Sequence, residues 1–507
     1  MSTLSFGSVR QRSARVAPLN PRIAVLLVAA GTSLVLGLAT AVGPAVWIGA
    51  LGAVLFVELS TVAVVRWRLV GTLLIVYLPY TGVLSLLLYP HTFYGEVARD
   101  ALIVTPLYVG LFASGGNRRL PRAVVLPFLL LGALAVLQLL NPSLPSLAVG
   151  FVGLRGWLFF TPLLLVGARL ATDIPSTLRL LRIALIAGIP VLVVGIVEAL
   201  MLAVGKAGVL YGIYGSAAKD AFTTGNTGSR GAAVSLGSLH RVPSIFAYPA
   251  AYYVFCLAML VPGYVLWRCG PTARTGNLGR FGFSLTTLAA LTSGSREAFV
   301  VVPVIILLTL FLDSGLPRFR ALVAGGLAFA LVAVVMSLPV RALPHYFVGL
   351  SHQEGGDLVG HGFRLAHSLT WLGLGPGTDT NAARNIAGPA VFDPIGGRWQ
   401  ESYLVKSWIE LGVPGLLLVL LMLGGVGSAL IRSAPRGSAA RPLIAASSAL
   451  FLGVIATSVK GAILDQAPAN AYVWLFAGLA LGARGWTGRA RTAGPVEPVP
   501  APSGGLQ

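Results

Sequence analysis

Charge is scarce in this chain: Asp, Glu, Lys and Arg make up 10% of its 507 residues, against roughly 25% in a soluble domain. A single water-soluble core is excluded. Cysteine is scarcer still. Cys256 and Cys269 lie thirteen positions apart in or beside one apolar run, too far along a helix to bridge, so no disulfide framework follows. Lysine occurs four times, as Lys206, Lys219, Lys406 and Lys460, a bias that GC-rich coding explains without a mechanism. No convincing internal repeat is present, which weighs against transporters built from inverted halves.

What the chain has instead is hydrophobic length. Apolar residues make up 56% of it, its mean hydropathy is +0.84, and runs of about 20 apolar residues, enough for a helix to cross hydrocarbon, recur from Ile23 to Leu481. The reading is an all-α polytopic membrane protein of about fourteen transmembrane helices with one large extracytoplasmic loop. Spans are expected near 23–43, 45–65, 69–89, 98–114, 122–140, 150–168, 183–204, 244–267, 281–294, 297–313, 319–339, 403–430, 442–460 and 470–484. The first run follows Arg10, Arg12, Arg15 and Arg22 but is too long for a secretory signal and lacks a convincing cleavage site, so it reads as a span. The organisation is thus a basic cytoplasmic segment 1–22, spans 1–11 over 23–339, a loop over 340–402, spans 12–14 over 403–484, and a Pro-rich, disordered cytoplasmic tail over 485–507.

Charge tests this layout, because short cytoplasmic loops retain Lys and Arg. The segments 1–22, 66–68, 115–122, 169–182, 268–280, 313–320, 432–441 and 484–507 hold 23 of the 36 basic residues and only 3 of the 16 acids, Asp173, Asp313 and Glu497. The remainder is balanced, so the whole net charge of +20 sits on one face. An even number of spans with both termini inside a cytoplasmic membrane gives this split. Topology and contact with anionic lipid therefore account for the basic charge, and no nucleic-acid partner is expected.

The outer face carries the chemistry. Two outer loops are long, 205–243 and 340–402, and long loops carry function. All six histidines fall outside, whereas no cytoplasmic loop holds a Walker-type glycine-rich motif or a catalytic pair of carboxylates. Arg155, Arg241, Arg296 and Arg364 sit at outer span ends or in the large loop. Guanidinium groups offer paired donors and a permanent charge, which suit a phosphate or diphosphate at headgroup level. For any one of them the plainer reading is snorkelling, or pairing with Glu297, Asp357 or Asp379; four together point further.

Three segments resemble a known family. Leu291-Thr292-Ser293-Gly294-Ser295-Arg296 before an apolar helix is similar to the Ser-Arg signature of the O-antigen ligase and polymerase superfamily. Arg364 followed by Trp371-Leu372-Gly373-Leu374-Gly375-Pro376-Gly377-Thr378 resembles its arginine, aromatic, Gly-x-Gly-x-Gly pattern. Glu401-Ser402-Tyr403-Leu404, continuing to Glu410-Leu411-Gly412-Val413-Pro414-Gly415-Leu416, resembles its loop exit. The match covers about 285–430. It implies a membrane glycosyltransferase that moves a glycan from a polyprenyl diphosphate carrier to a glycan or lipid acceptor on the outer face, with Arg296 and Arg364 holding the diphosphate and Arg155, Arg241 and Tyr403 as further substrate-binding candidates.

A sugar on a lipid diphosphate is already activated. Transfer needs charge stabilisation on the departing diphosphate and a base at the incoming hydroxyl, with no nucleotide and no obligatory metal or other cofactor. A single displacement predicts inversion at the anomeric carbon. The chain departs from the family at the base: ligases carry a histidine just before the Tyr-Leu exit, where this chain has Arg398-Trp399-Gln400-Glu401-Ser402-Tyr403. Glu401 is the candidate base and His367 the alternative. A plain reading of Glu401 is a carboxylate at a helix N-terminus; His361 and His367 are read as hydrogen-bonded loop residues, since no spacing matches a zinc ligand set. Glu58 and Glu198 are intramembrane acids, and Tyr248, Tyr252 and Tyr253 read as interface anchors. The rival readings are a lipid-linked oligosaccharide flippase or polysaccharide-export transporter, and a catalytically silent assembly partner suggested by the missing histidine.

Overall fold

The computed structural model describes residues 44–87, 96, 98–115, 120–213, 215–216, 235–236, 239–246, 248–295, 297–314, 362, 364–367, 371–397, 400, 402–433 and 438–484. The spans expected at 23–43 and 319–339, the tail 485–507 and the site candidates Arg296 and Glu401 lie outside them.

The described chain is helical apart from one two-residue antiparallel pairing, Ser235–Leu236 with Leu239–His240. Its main helices are α1 Pro44–Tyr77, α2 Thr81–Leu87, α3 Thr105–Ala113, α4 Arg122–Leu137, α5 Leu147–Leu158, α6 Leu163–Leu170, α7 Ile174–Ala203, α8 Ala207–Gly212, α9 Pro249–Cys269, α10 Ala273–Thr292, α11 Ala298–Asp313, α12 Arg384–Ala387, α13 Tyr403–Arg432, α14 Arg441–Thr457 and α15 Ala469–Ala483. Six helical stretches are long and apolar enough to cross a membrane: Gly52–Leu87, Arg122–Leu140, Leu147–Leu170, Ile174–Ala203, Pro249–Cys269 and Tyr403–Arg432. The break expected at 66–68 is a kink at Arg66, φ −137° and ψ 50°, at which two helical stretches of α1 meet.

Local chemistry sets several helix starts. Asp173 accepts from Ser176 N at 2.8 Å and is followed two residues later by a proline in the first turn of α7. Ser146, Thr272 and Ser402 cap α5, α10 and α13 in the same way. Each cap satisfies a backbone donor that a new helix would leave unpaired.

The described residues fall into two compact units, one made of those up to Val70 with Ala101–Ser114, the other of Gly71–Asp100 and everything from Gly115 onward. In the first, α1 and α3 touch where Gly110 meets the Ala63 carbonyl: a Cβ on Gly110 would lie 2.3 Å from that oxygen. In the second, α9 is the central helix, with 89% of its apolar window covered by protein, whereas α4 and the turn after it are 22% covered. A helix left apolar and uncovered in this way needs a hydrocarbon solvent. Around α9 pack α7, α10, α14 and α15; α6 packs on α15, and α4 on α13. The α6–α15 contact uses glycine: a Cβ on Gly478 would lie 2.2 Å from Leu164 O, and one on Gly167 2.2 Å from Leu475 O. Close backbone approach of this kind is how apolar helices gain contact when hydrophobic exclusion from water is not available.

Contacts in the larger unit sort the helix ends into two groups. At one end the Arg441 guanidinium donates to Leu312 O at 3.0 Å, Arg268 to Asp313 at 3.2 Å, Arg484 to Ser433 and Ala429, and Gly425 lies against Ala123. At the other end Asn141 donates to Gly373 O at 3.1 Å, Val242 N to Ser293 O at 2.9 Å, and Tyr403 N to Ser458 O at 3.1 Å. Among the described residues of this unit, Arg268, Arg441 and Arg484 lie at the first end together with Asp313.

The glycine contact gives a direct test. Gly478→Ala forces a Cβ against backbone and is expected to cost about 1–3 kcal/mol, the range for overpacking, lowering the thermal midpoint of the detergent-solubilised protein. Gly424→Ala, where a Cβ meets nothing within 4 Å, is expected to leave that midpoint unchanged.

Candidate functional site

At the second of these ends, where Asp379, Glu410 and Asp465 lie, the described part of the large loop is folded against α5 and α13. Leu374, Ala383, Val391, Phe392 and Ile395 from the loop, with Ala366, form an apolar core with Val149, Val405 and Ile409. Burial of that much apolar surface gives the loop a fixed shape.

Its first turn is pinned by backbone geometry. Gly373, Gly375 and Gly377 all have positive φ, 75°, 102° and 91°, conformations in which a side chain is strained. Gly412 has φ 72° and interrupts α13. The interruption frees Ile409 O and Val413 N, which a continuous helix would have paired, and Pro414, which has no N–H, leaves Glu410 O free as well. Ile409 O accepts from Leu374 N at 2.8 Å, Glu410 O from Gly375 N at 3.0 Å, and Val413 N donates to Trp371 O at 3.0 Å. The carbonyls of Leu372 and Gly373 also accept from Gln138 and Asn141 at the end of α4.

Beneath this turn lies a buried polar cluster drawn from four parts of the chain. Glu410 Oε1 accepts from Asp379 N at 3.0 Å and from the Thr380 hydroxyl at 2.9 Å, and its Oε2 from Trp157 Nε1 at 2.7 Å. Lys406, one turn earlier on α13, lies 4.0 Å from Glu410 Oε1 and donates to Asp465 Oδ2. Its ammonium also sits 5.5 Å from the centre of the Trp157 ring, which stacks at 5.2 Å on Tyr403. Asp379 Oδ1 accepts from Gln400 N at 2.6 Å, tying the residue that follows the glycine-rich turn to the exit of the loop. Lys406, Glu410 and Asp379 are each 2% exposed or less. One ammonium thus serves three carboxylates away from water, where an unpaired charge is costly. Asp379 Oδ2, like Asp465 Oδ1, has no hydrogen-bond partner among the described residues, and Asp379 is the more deeply buried of the two. Burial pushes its pKa well above the ordinary carboxylate range, with the nearby Glu410 and Asp465 adding to the rise and the Gln400 amide and Lys406 opposing it.

The sequence candidates are distributed as follows. Arg364 and His367 share one exposed helical turn whose inner residue, Ala366, packs into the loop core; the His367 ring lies 6.4 Å from that of Trp408. Arg155 is held by two carboxylates that the sequence reading did not consider, Asp100 Oδ2 at 2.5 Å and Glu96 Oε2 at 3.1 Å. Arg99 joins this group, with Nε 2.7 Å from Asp100 Oδ1 and its guanidinium 5.2 Å from the Phe160 ring centre. Arg241 is half-buried, and its neighbour Val242 is bonded to Ser293, in the turn leading to position 296. Tyr403 is 3% exposed and supports Trp157, so it faces the interior of the protein. Glu198 is buried, with Oε2 accepting from Ser244 N at 2.6 Å. No group of three or more His, Cys, Asp or Glu that could hold a metal ion occurs among the described residues.

Lys406, Asp465 and Trp157 were given no role from sequence. A Lys-Glu pair four residues apart in an apolar helix was the available signal, since such charges are kept only where they are partnered. No protein-family model and no curated protein matches this chain.

The raised pKa of Asp379 sets the sign of a pH dependence. Relative to the unfolded chain, folding favours the protonated acid, so its contribution is full below about pH 4, the ordinary aspartate value, and is lost as pH rises through the folded-state value. Asp379→Asn is expected to remove that loss, flattening the fall in thermal midpoint above about pH 4. An unchanged slope in the variant contradicts the assignment.

Proposed function

We propose that this protein is a polytopic glycosyltransferase of the O-antigen ligase/polymerase type, acting on polyprenyl-diphosphate-linked glycans at the outer face of a cytoplasmic membrane. The observation that carries the reading is the pairing of the two segments that resemble the family: residues 371–375 are hydrogen-bonded to α13 at 409–413, with the cluster around Glu410 directly below. Segments forty residues apart in sequence thus form one unit, and the exposed turn of Arg364 and His367 stands beside it.

The orientation belongs to the same proposal. The basic helix ends are cytoplasmic by the retention of Lys and Arg, both termini lie on that side, and the full chain has fourteen spans. The loop end then faces outward, to the leaflet where the carrier presents its glycan.

In the proposed reaction a hydroxyl oxygen of the acceptor sugar bonds to the anomeric carbon of the donor as the bond from that carbon to the diphosphate breaks. The hydroxyl proton passes to a base, Glu401 or else His367, and the carrier leaves as polyprenyl diphosphate. Arg296 and Arg364 stabilise the charge gathering on the departing diphosphate. Glu410, Lys406 and Asp379 are too deeply covered to touch the sugar; with Asp465 they fix the loop on which the reacting groups stand.

In proteoliposomes holding a polyprenyl-diphosphate glycan and an acceptor glycan, Arg364→Ala and Arg296→Ala are each expected to lower the transfer rate by about 100-fold or more, the usual effect of removing a donor to a developing anion. Undiminished transfer by both variants contradicts the leaving-group site.

A further inference from the structure

The tip of the glycine-rich turn is apolar and uncovered. Trp371 is 74% exposed and Leu372 61%. Their backbone cannot swing to hide them, because the Trp371 carbonyl is bonded to Val413 N and the Leu372 carbonyl to the Gln138 amide. Two large apolar side chains are therefore held outward.

Their depth along the bundle can be read from α13. After the interruption at Gly412 the helix runs from Val413 to Arg432, a rise of about 28 Å at 1.5 Å per residue. The hydrocarbon of a bilayer is about 30 Å thick. With the basic end of α13 at one boundary, Val413 and the Trp371 carbonyl bonded to it sit at the other. Helix α4 gives the same level, since Gln138, which holds Leu372, directly follows it.

The surface below the tip has the same character. Leu137 and Leu140 are 66% and 81% exposed, and Leu417 and Leu421 on α13 are 54% and 60%. The tip continues this lipid-facing surface upward. Tryptophan is the side chain best suited to that level, with an apolar ring and an N–H that remains within reach of headgroups and water.

We infer that Trp371 and Leu372 are seated in the headgroup boundary of the bilayer, so that the glycine-rich turn is a membrane-surface element and not a segment of a water-exposed loop. The occupant of the patch is lipid. The inference does not depend on the reaction proposed above or on which face is outer.

The test uses the full chain carrying Cys256→Ala and Cys269→Ala, with a nitroxide attached at Trp371→Cys or, separately, Leu372→Cys, in vesicles of phosphatidylcholine and phosphatidylglycerol. Leu129→Cys in the middle of α4 supplies a hydrocarbon reference, and Arg384→Cys, exposed in the same loop, an aqueous one. Collision with oxygen, relative to collision with a water-soluble nickel chelate, is expected to rise severalfold at 371 and 372 over position 384 while staying below position 129. A ratio equal to that at 384 overturns the inference by placing the tip in water. Exclusion of both reagents overturns it by showing that protein, such as a second copy of this chain, covers the patch. Because both side chains project from the protein, either substitution leaves packing intact, and the two positions report independently.

Discussion

The arrangement at the acid-bearing end of the bundle depends on one buried ammonium. Lys406 stands between Asp465, Glu410 and the Trp157 ring with almost no access to water, so its charge is tolerable only while those partners surround it. They come from α13, from α5 and from the turn between α14 and α15. Glu410 in turn holds the Asp379 amide and the Thr380 hydroxyl, which fixes the loop. Helix packing and loop placement are thereby coupled: if the helices separate, the ammonium and the carboxylates lose one another, and the loop loses its floor.

The interruption of α13 at Gly412 makes the second half of that coupling. A continuous helix would use its carbonyl at 409, whereas the one at 410 has no donor four residues on, because Pro414 lacks an N–H. Gly412 and Pro414 together leave both carbonyls to the glycine turn, which becomes in effect an extension of the helix by backbone hydrogen bonds from elsewhere in the chain. Such a loop is built on rigid elements, the condition under which side chains at its rim keep a defined geometry.

Much of this was legible beforehand. Hydrophobic runs anticipated most of the described helices, because burial in hydrocarbon acts residue by residue along the chain. The break expected at 66–68 is present as a kink at Arg66, where two helical stretches meet without an intervening loop. At the site, the glycine turn and the Glu410–Leu411–Gly412 segment were singled out as separate pieces; that they bond to each other is a tertiary fact with no local signature. Arg155 reads from sequence as a phosphate-binding candidate, or as one that snorkels or pairs with Glu297, Asp357 or Asp379, whereas its partners Glu96 and Asp100 lie more than fifty positions earlier in the chain. Asp465 was invisible for the same reason. Ion pairs across a bundle are set by which helices are neighbours, and composition does not encode neighbours.

The central claim is that the cluster around Glu410 holds the loop onto the bundle. Hydrogen exchange of the protein in lipid nanodiscs, wild type against Glu410→Gln, tests it most directly. The substitution removes the negative charge facing Lys406 and one of the two acceptor oxygens, so that either Trp157 or the Asp379 amide and Thr380 hydroxyl lose their partner, a disruption of a buried pair worth about 3–5 kcal/mol. Faster exchange confined to peptides covering 374–380 and 400–410, with α9 as protected as before, is the predicted result. Unaltered exchange in those peptides would contradict the account.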